Sequence, residues 1–134
     1  MKKLLVCLAL LASLPGCATL ETVANAPLKE GIVESFPAKY DAVNGAMIAG
    51  LASLNVDVKS SREQPEGTVV LVLKSLEAWS WGEVGRIFVE RSDSDRTNVY
   101  VRWEKRSRHQ ITGTDAKEFS DALFQSIRAA LRKS

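Results

Sequence analysis

Among the residues able to do covalent chemistry, Cys17 is the best placed. It closes the run MKKLLVCLALLASLPGC, in which Lys2 and Lys3 precede an almost wholly apolar segment, residues 4–14. A charged start, a short apolar core and a small residue at the end make an export signal, and Cys17 stands directly after it. The apolar segment falls short of the roughly 20 residues needed to span a hydrocarbon core, so it addresses the chain rather than holding it in a membrane. The other reactive side chains are dispersed. His109 is the single histidine, in Arg106-Ser107-Arg108-His109; with no cysteine beside it and no ligand spacing, it reads as a loop residue. Asp93 and Asp95 alternate with Ser92 and Ser94 but lack the spacing and distal Glu of a calcium loop, which leaves a solvated turn. Ser80, Ser92 and Ser107 have no activating pair, and no glycine-rich phosphate cradle is present. The expectation is no enzyme, no metal and no cofactor.

Two stretches suit binding instead. Arg102, Lys105, Arg106 and Arg108 gather four permanent positive charges at a strand end. They would meet lipid phosphates or an acidic partner, each charge adding up to about 1 kcal/mol near an anionic membrane; the competing reading is a solvated strand end offset by Glu104. Trp79 and Trp81 bracket Ser80 in or beside a hairpin connection. Exposed, they would anchor a protein or glycan partner; otherwise one ring caps the core at its edge.

Leu14-Pro15-Gly16-Cys17 resembles the lipobox of bacterial lipoproteins, with a branched aliphatic residue three before the cysteine and a small one directly before it. Pro15 stands where that family more often has Ala or Ser. In the family, signal peptidase II cuts before the cysteine, whose sulfur carries a diacylglyceryl group and whose new amino group is then acylated. The resemblance implies that Cys17 becomes the first mature residue, and Ala18 in place of Asp implies the outer membrane, with the domain facing the periplasm. Two or more acyl chains suffice for stable anchoring. The alternative is an ordinary secreted protein in which Cys17 is incidental.

The precursor has 18 Lys plus Arg against 16 Asp plus Glu, and the loss of Lys2 and Lys3 leaves 16 of each. A neutral mature chain gives no argument for nucleic acid. Cys7 is discarded with the signal and Cys17 carries lipid, so the folded part has neither a disulfide nor a free thiol. About a hundred residues beyond the anchor make one core and not two.

These residues must be positioned by a small set of elements. Residues 1–16 are the signal and residues 17–34 read as the lipidated cysteine and a tether, with a short helical turn at residues 20–24; a small edge strand at Ile32 and Val33 is the alternative. Residues 35–134 form the single domain. Tyr40, Val43, Met47, Leu51 and Leu54 recur at helical spacing, with Ser35 as the cap, Pro37 in the first turn and Asn55 at the end. Gly45 and Gly50 in this helix predict close approach to a sheet. Residues 55–62, 68–76, 82–90 and 97–104 read as strands, with less clean alternation in 82–90, and short connections between them favour an antiparallel meander. Phe119, Ala122, Leu123, Ile127, Ala130 and Leu131 mark a last helix capped by Thr114. The expected fold is α+β: helix, four-stranded antiparallel meander, helix, with both helices packed on one face of the sheet.

This order, carried by Phe36-Pro37, Tyr40, Asn55-Val56, Pro65-Glu66-Gly67 and Thr97-Asn98-Val99-Tyr100-Val101-Arg102, resembles a family of short helix-sheet-helix periplasmic lipoproteins of uncharacterised function. More loosely it is similar to modules in lipoprotein accessory subunits of envelope machines. The resemblance implies a lipid-anchored, non-catalytic protein-binding or structural module whose partners are the membrane, through Cys17, and an envelope protein. A periplasmic carrier of a small apolar ligand or lipid is the alternative.

Overall fold

The computed structural model describes residues 18–75, 82–107, 110 and 112–133. Its elements run α1 (Leu20–Ala24), β1 (Ile32–Phe36), α2 (Tyr40–Ser53), β2 (Asp57–Gln64), β3 (Gly67–Lys74), β4 (Glu83–Glu90), β5 (Thr97–Lys105) and α3 (Ala116–Lys133). The strands form one sheet in the order β1-β5-β4-β3-β2, antiparallel at every pairing. The two-helix, four-strand arrangement expected from the sequence is therefore wrong: among the described residues the sheet has five strands and there are three helices.

Both additions lie in the stretch read as a tether: α1 is the helical turn expected at residues 20–24, and β1 is the edge strand given as the alternative at Ile32 and Val33, extended to Phe36; both are too short to show a period. β1 has five residues, with Ile32 set against Val101 and Phe36 against Thr97. Phe36 is buried and meets Phe124 edge-on at 5.9 Å. Gly31 admits the chain to this edge: its φ is +116°, and a Cβ there would lie 2.2 Å from the Val101 carbonyl oxygen, so only glycine fits. α1 is also five residues, far below the length at which a helix holds in isolation. It persists because Val23 is fully buried and because Thr19 and Thr22 cap each other's backbone N–H groups at its start.

The sheet separates two layers. On one face Val70, Val72, Ile87, Val89, Val99 and Val101 form the core with Tyr40, Val43, Met47 and Leu51 of α2 and Phe119, Leu123, Phe124 and Ile127 of α3. Trp103 stacks on Phe119 at 3.8 Å and donates its indole N–H to the Thr114 carbonyl at 2.9 Å. On the other face α1 packs against the central strands, over Val84, Arg86 and Phe88, all buried. β4 is thus covered on both sides, which explains why its residues do not alternate cleanly.

Smaller differences have local causes. Ser35 lies in β1, and α2 begins only at Tyr40 after Lys39, which makes no side-chain cap. The turn is pinned by Thr97, whose hydroxyl donates to the Ala38 carbonyl at 2.8 Å. α2 ends at Ser53, with Leu54 extended rather than Asn55 left-handed. Gly50 approaches the neighbouring helix and not the sheet: a Cβ would meet Ser126 Cβ at 3.2 Å, whereas one at Gly45 would meet nothing. Asp115, not Thr114, caps α3, its carboxylate accepting from the Glu118 N–H at 2.8 Å. The Thr114 hydroxyl is taken by Lys74 at 2.6 Å and its N–H by the buried Glu83 at 2.7 Å.

Candidate functional site

Among the described residues, those singled out by chemistry do not converge. Cys17, Trp79, Ser80, Trp81, Arg108 and His109 lie outside the described residues. Arg102 does not stand free at a strand end: it lies on the α1 face of β5, where one guanidinium nitrogen bonds Glu30 and the other Glu104 at 2.5 Å. Its charge is matched twice over. Arg106 is exposed, and its backbone N–H closes onto the Gly82 carbonyl at 3.2 Å. Asp93 and Asp95 are exposed in a turn held by its serines, Ser94 bonding Ser92, the Arg96 carbonyl and the Arg96 N–H. Among the described residues no three His, Cys, Asp or Glu side chains come together.

What the fold does assemble is an apolar groove. α2 is apolar around most of its circumference, and Ala42, Ile48, Ala49 and Ala52 remain exposed. A helix of that kind is ordinarily covered on all sides. The extended Leu54 cap lets the chain double back under the end of α2, where the Val56 N–H donates to the Leu54 carbonyl at 2.8 Å. Ile48, Leu51, Ala52, Leu54, Val56 and Val58 then line a groove of about 300 Å³ that opens to solvent between α2 and β2. Ile48 is 53% exposed and Val58 51%, two of only three large hydrophobics exposed among the described residues.

Beside the groove lies an open strand edge. Among the described residues β2 pairs only with β3, and its outer backbone groups meet no other strand. An unpaired edge is a template for added strands. Here it is blunted by a register shift between Val58 and Ser60 and by exposed Lys59 and Arg62. A groove next to such an edge can take an extended chain, backbone on β2 and one apolar side chain beside Ile48. The sequence reading counted Met47 and Leu51 as core and passed over Ile48; the signal was the lack of a polar face in residues 46–52.

The second feature missed is Arg86, 1% exposed in the middle of the sheet. Its guanidinium donates to the carbonyls of Val23 at 2.9 Å, of Ala26, of Pro27 at 2.6 Å and of Leu28 at 3.4 Å. Burial pushes its pKa below the ordinary arginine value, nearby Arg102 pushes the same way, and Glu30 opposes them; an arginine remains charged regardless. Two further ion pairs hold the same segment, Lys29 to Glu90 at 2.5 Å and Glu30 to Arg102. The Lys29 hydrogen bond is the main cause that holds the Glu90 carboxyl below its usual range, with Asn98 and Tyr100 helping against burial. The chain after Cys17 is thus clamped to the sheet by three basic side chains.

No protein-family model matches this chain, and a search of curated proteins finds no match.

Proposed function

We propose that this is a lipid-anchored protein of the cell envelope, tethered at the outer membrane through Cys17 and facing the periplasm, whose domain is a non-catalytic protein-binding module. The sequence at residues 14–17 supports the anchor. The observation that carries the binding role is the apolar groove between α2 and β2, alongside an open strand edge. Exposed apolar surface flanked by polar residues is the mark of an interaction site. The occupant this arrangement suits is an extended segment of an envelope protein bearing an apolar side chain.

The same groove bears on a second reading, carriage of a small apolar ligand. At about 300 Å³ it sits at the lower end of ligand pockets, and its open side leaves a ligand partly in water, so the protein partner is the better fit.

Photo-crosslinking residues placed at Ile48 and Val58 in envelopes of a host with an outer membrane separate the two. The reading expects a discrete protein adduct at both positions, the one at Val58 being lost when Ile48→Glu is added in a protein whose melting temperature is unchanged. Adducts to lipid or fatty acid alone would favour the carrier, and no adduct of either kind would overturn the binding role.

A further inference from the structure

We infer that the lipid anchor joins the folded domain without a free tether, so that the α1 face of the sheet rides on the phospholipid headgroups and the α2–β2 groove points away from the membrane. The inference rests on the lipidation of Cys17 proposed above and adds to it the orientation of the domain and the surface that meets the bilayer.

Only Ala18 and Thr19 separate Cys17 from the first residue of α1. Thr19 is already fixed, its N–H donating to the Thr22 hydroxyl at 2.9 Å and that hydroxyl donating back to the Thr19 carbonyl at 2.7 Å. From there the chain is held continuously to the sheet: Val23 is fully buried, Arg86 gathers four carbonyls, and Lys29 and Glu30 are each ion-paired before β1 begins. Even fully extended, three residues span about 10 Å. The headgroup layer itself is about 5–8 Å thick on each side of the hydrocarbon. An acylated Cys17 with its chains in the hydrocarbon therefore keeps α1 at the headgroups. Were residues 18–31 free, the same connection would reach about 45–50 Å.

The surface so placed is not basic. Glu21 is the one charge in α1, Lys29 and Glu30 are paired with sheet residues, and Arg102 is neutralised on both sides. Apposition follows from the short covalent link rather than from attraction, so it should be indifferent to salt and to lipid charge. The groove is lined from the opposite side of the sheet, through α2, Val58 and Val70, and this orientation presents it to the periplasmic space.

The lipidated protein reconstituted in vesicles tests this. Once the thiol of Cys17 is blocked by lipid, no other cysteine is present in the mature chain, so an introduced cysteine takes a single label. A fluorophore at Asn25→Cys, beside α1, should be strongly quenched by headgroup-nitroxide lipid, and one at Gln125→Cys, on the exposed side of α3, at least threefold less. The pattern should be the same in pure phosphatidylcholine, in vesicles with one third phosphatidylglycerol, and at high salt. Inserting ten Gly and Ser residues between Cys17 and Ala18 should abolish the difference while leaving the fold intact. Equal, weak quenching at both positions in protein whose intact mass includes the acyl chains would overturn the orientation and leave the lipid anchor standing. A Cys17 without lipid would overturn both.

Discussion

Arg86 shows most clearly what a single residue contributes. A buried cation is unfavourable unless its hydrogen bonds are met, and here backbone carbonyls from residues 23–28 take both terminal nitrogens, while the buried Nε has no partner. Arg86→Met should cost about 2–4 kcal/mol in denaturant unfolding, because it leaves those carbonyls buried without a donor. It should also admit protease between residues 18 and 31. Arg86→Lys, a point charge without the planar fork, should recover only part of the loss. The Lys29–Glu90 pair makes a signed prediction with pH. The folded-state pKa of Glu90 is depressed, so its contribution is present above the unfolded carboxylate value, about 4.3, and is lost as pH falls through the lower folded value. Lys29 is shifted upward by the same partner, and its contribution is lost only as pH rises through that raised value. In denaturation from pH 7 to pH 3, the stability gap between wild type and Glu90→Gln should shrink toward zero at the acid end. Arg86 was visible in the sequence as the single basic residue inside GEVGRIFVE, but only the fold shows that carbonyls from the supposed tether surround it.

At the scale of elements, legibility followed length. The 18 residues of α3 carry enough turns for the periodic stripe to identify them, whereas α1 and β1, five residues each, were legible only as a helical turn and an alternative edge strand, because their place in the fold depends on tertiary contacts. β4 was read as a strand at residues 82–90 and is one at Glu83–Glu90; its less clean alternation has a related cause, since alternation marks a strand with one wet face and α1 covers the second. The caps assigned to Ser35 and Thr114 went astray because both residues have stronger claims elsewhere, in a strand and on Lys74 and Glu83. The packing of β4 under β5 and α3 is tight enough to test. A Cβ at Gly85 would lie 2.5 Å from the Trp103 ring and 3.0 Å from Val72. Gly85→Ala should therefore destabilise by about 1–3 kcal/mol through overpacking, with a matching change in tryptophan fluorescence as the ring leaves Phe119.

For the molecule as a whole, the step from four strands to five changes what the N-terminal segment is for. A chain beginning at residue 35 would keep β2 to β5 but expose the outer edge of β5, the apolar face under α1 and the Arg86 guanidinium. Such a chain should aggregate or lose cooperative unfolding, whereas a mere tether would be dispensable; circular dichroism during urea titration of the two lengths distinguishes the outcomes. The groove was only partly legible, since a helix without a polar face and a polar edge strand are ordinary until the sheet order sets them side by side. In the arrangement we propose, the anchor lies at one face and the groove at the other, so that a small domain would be held at a membrane with its binding surface outward. That arrangement begins with the chemistry of one sulfur. The intact mass of the protein extracted from envelope membranes tests it most directly. The account predicts a chain starting at Cys17 that carries a diacylglyceryl group and an amide-linked acyl chain; a free thiol at Cys17, or a chain that keeps residues 1–16, would contradict it.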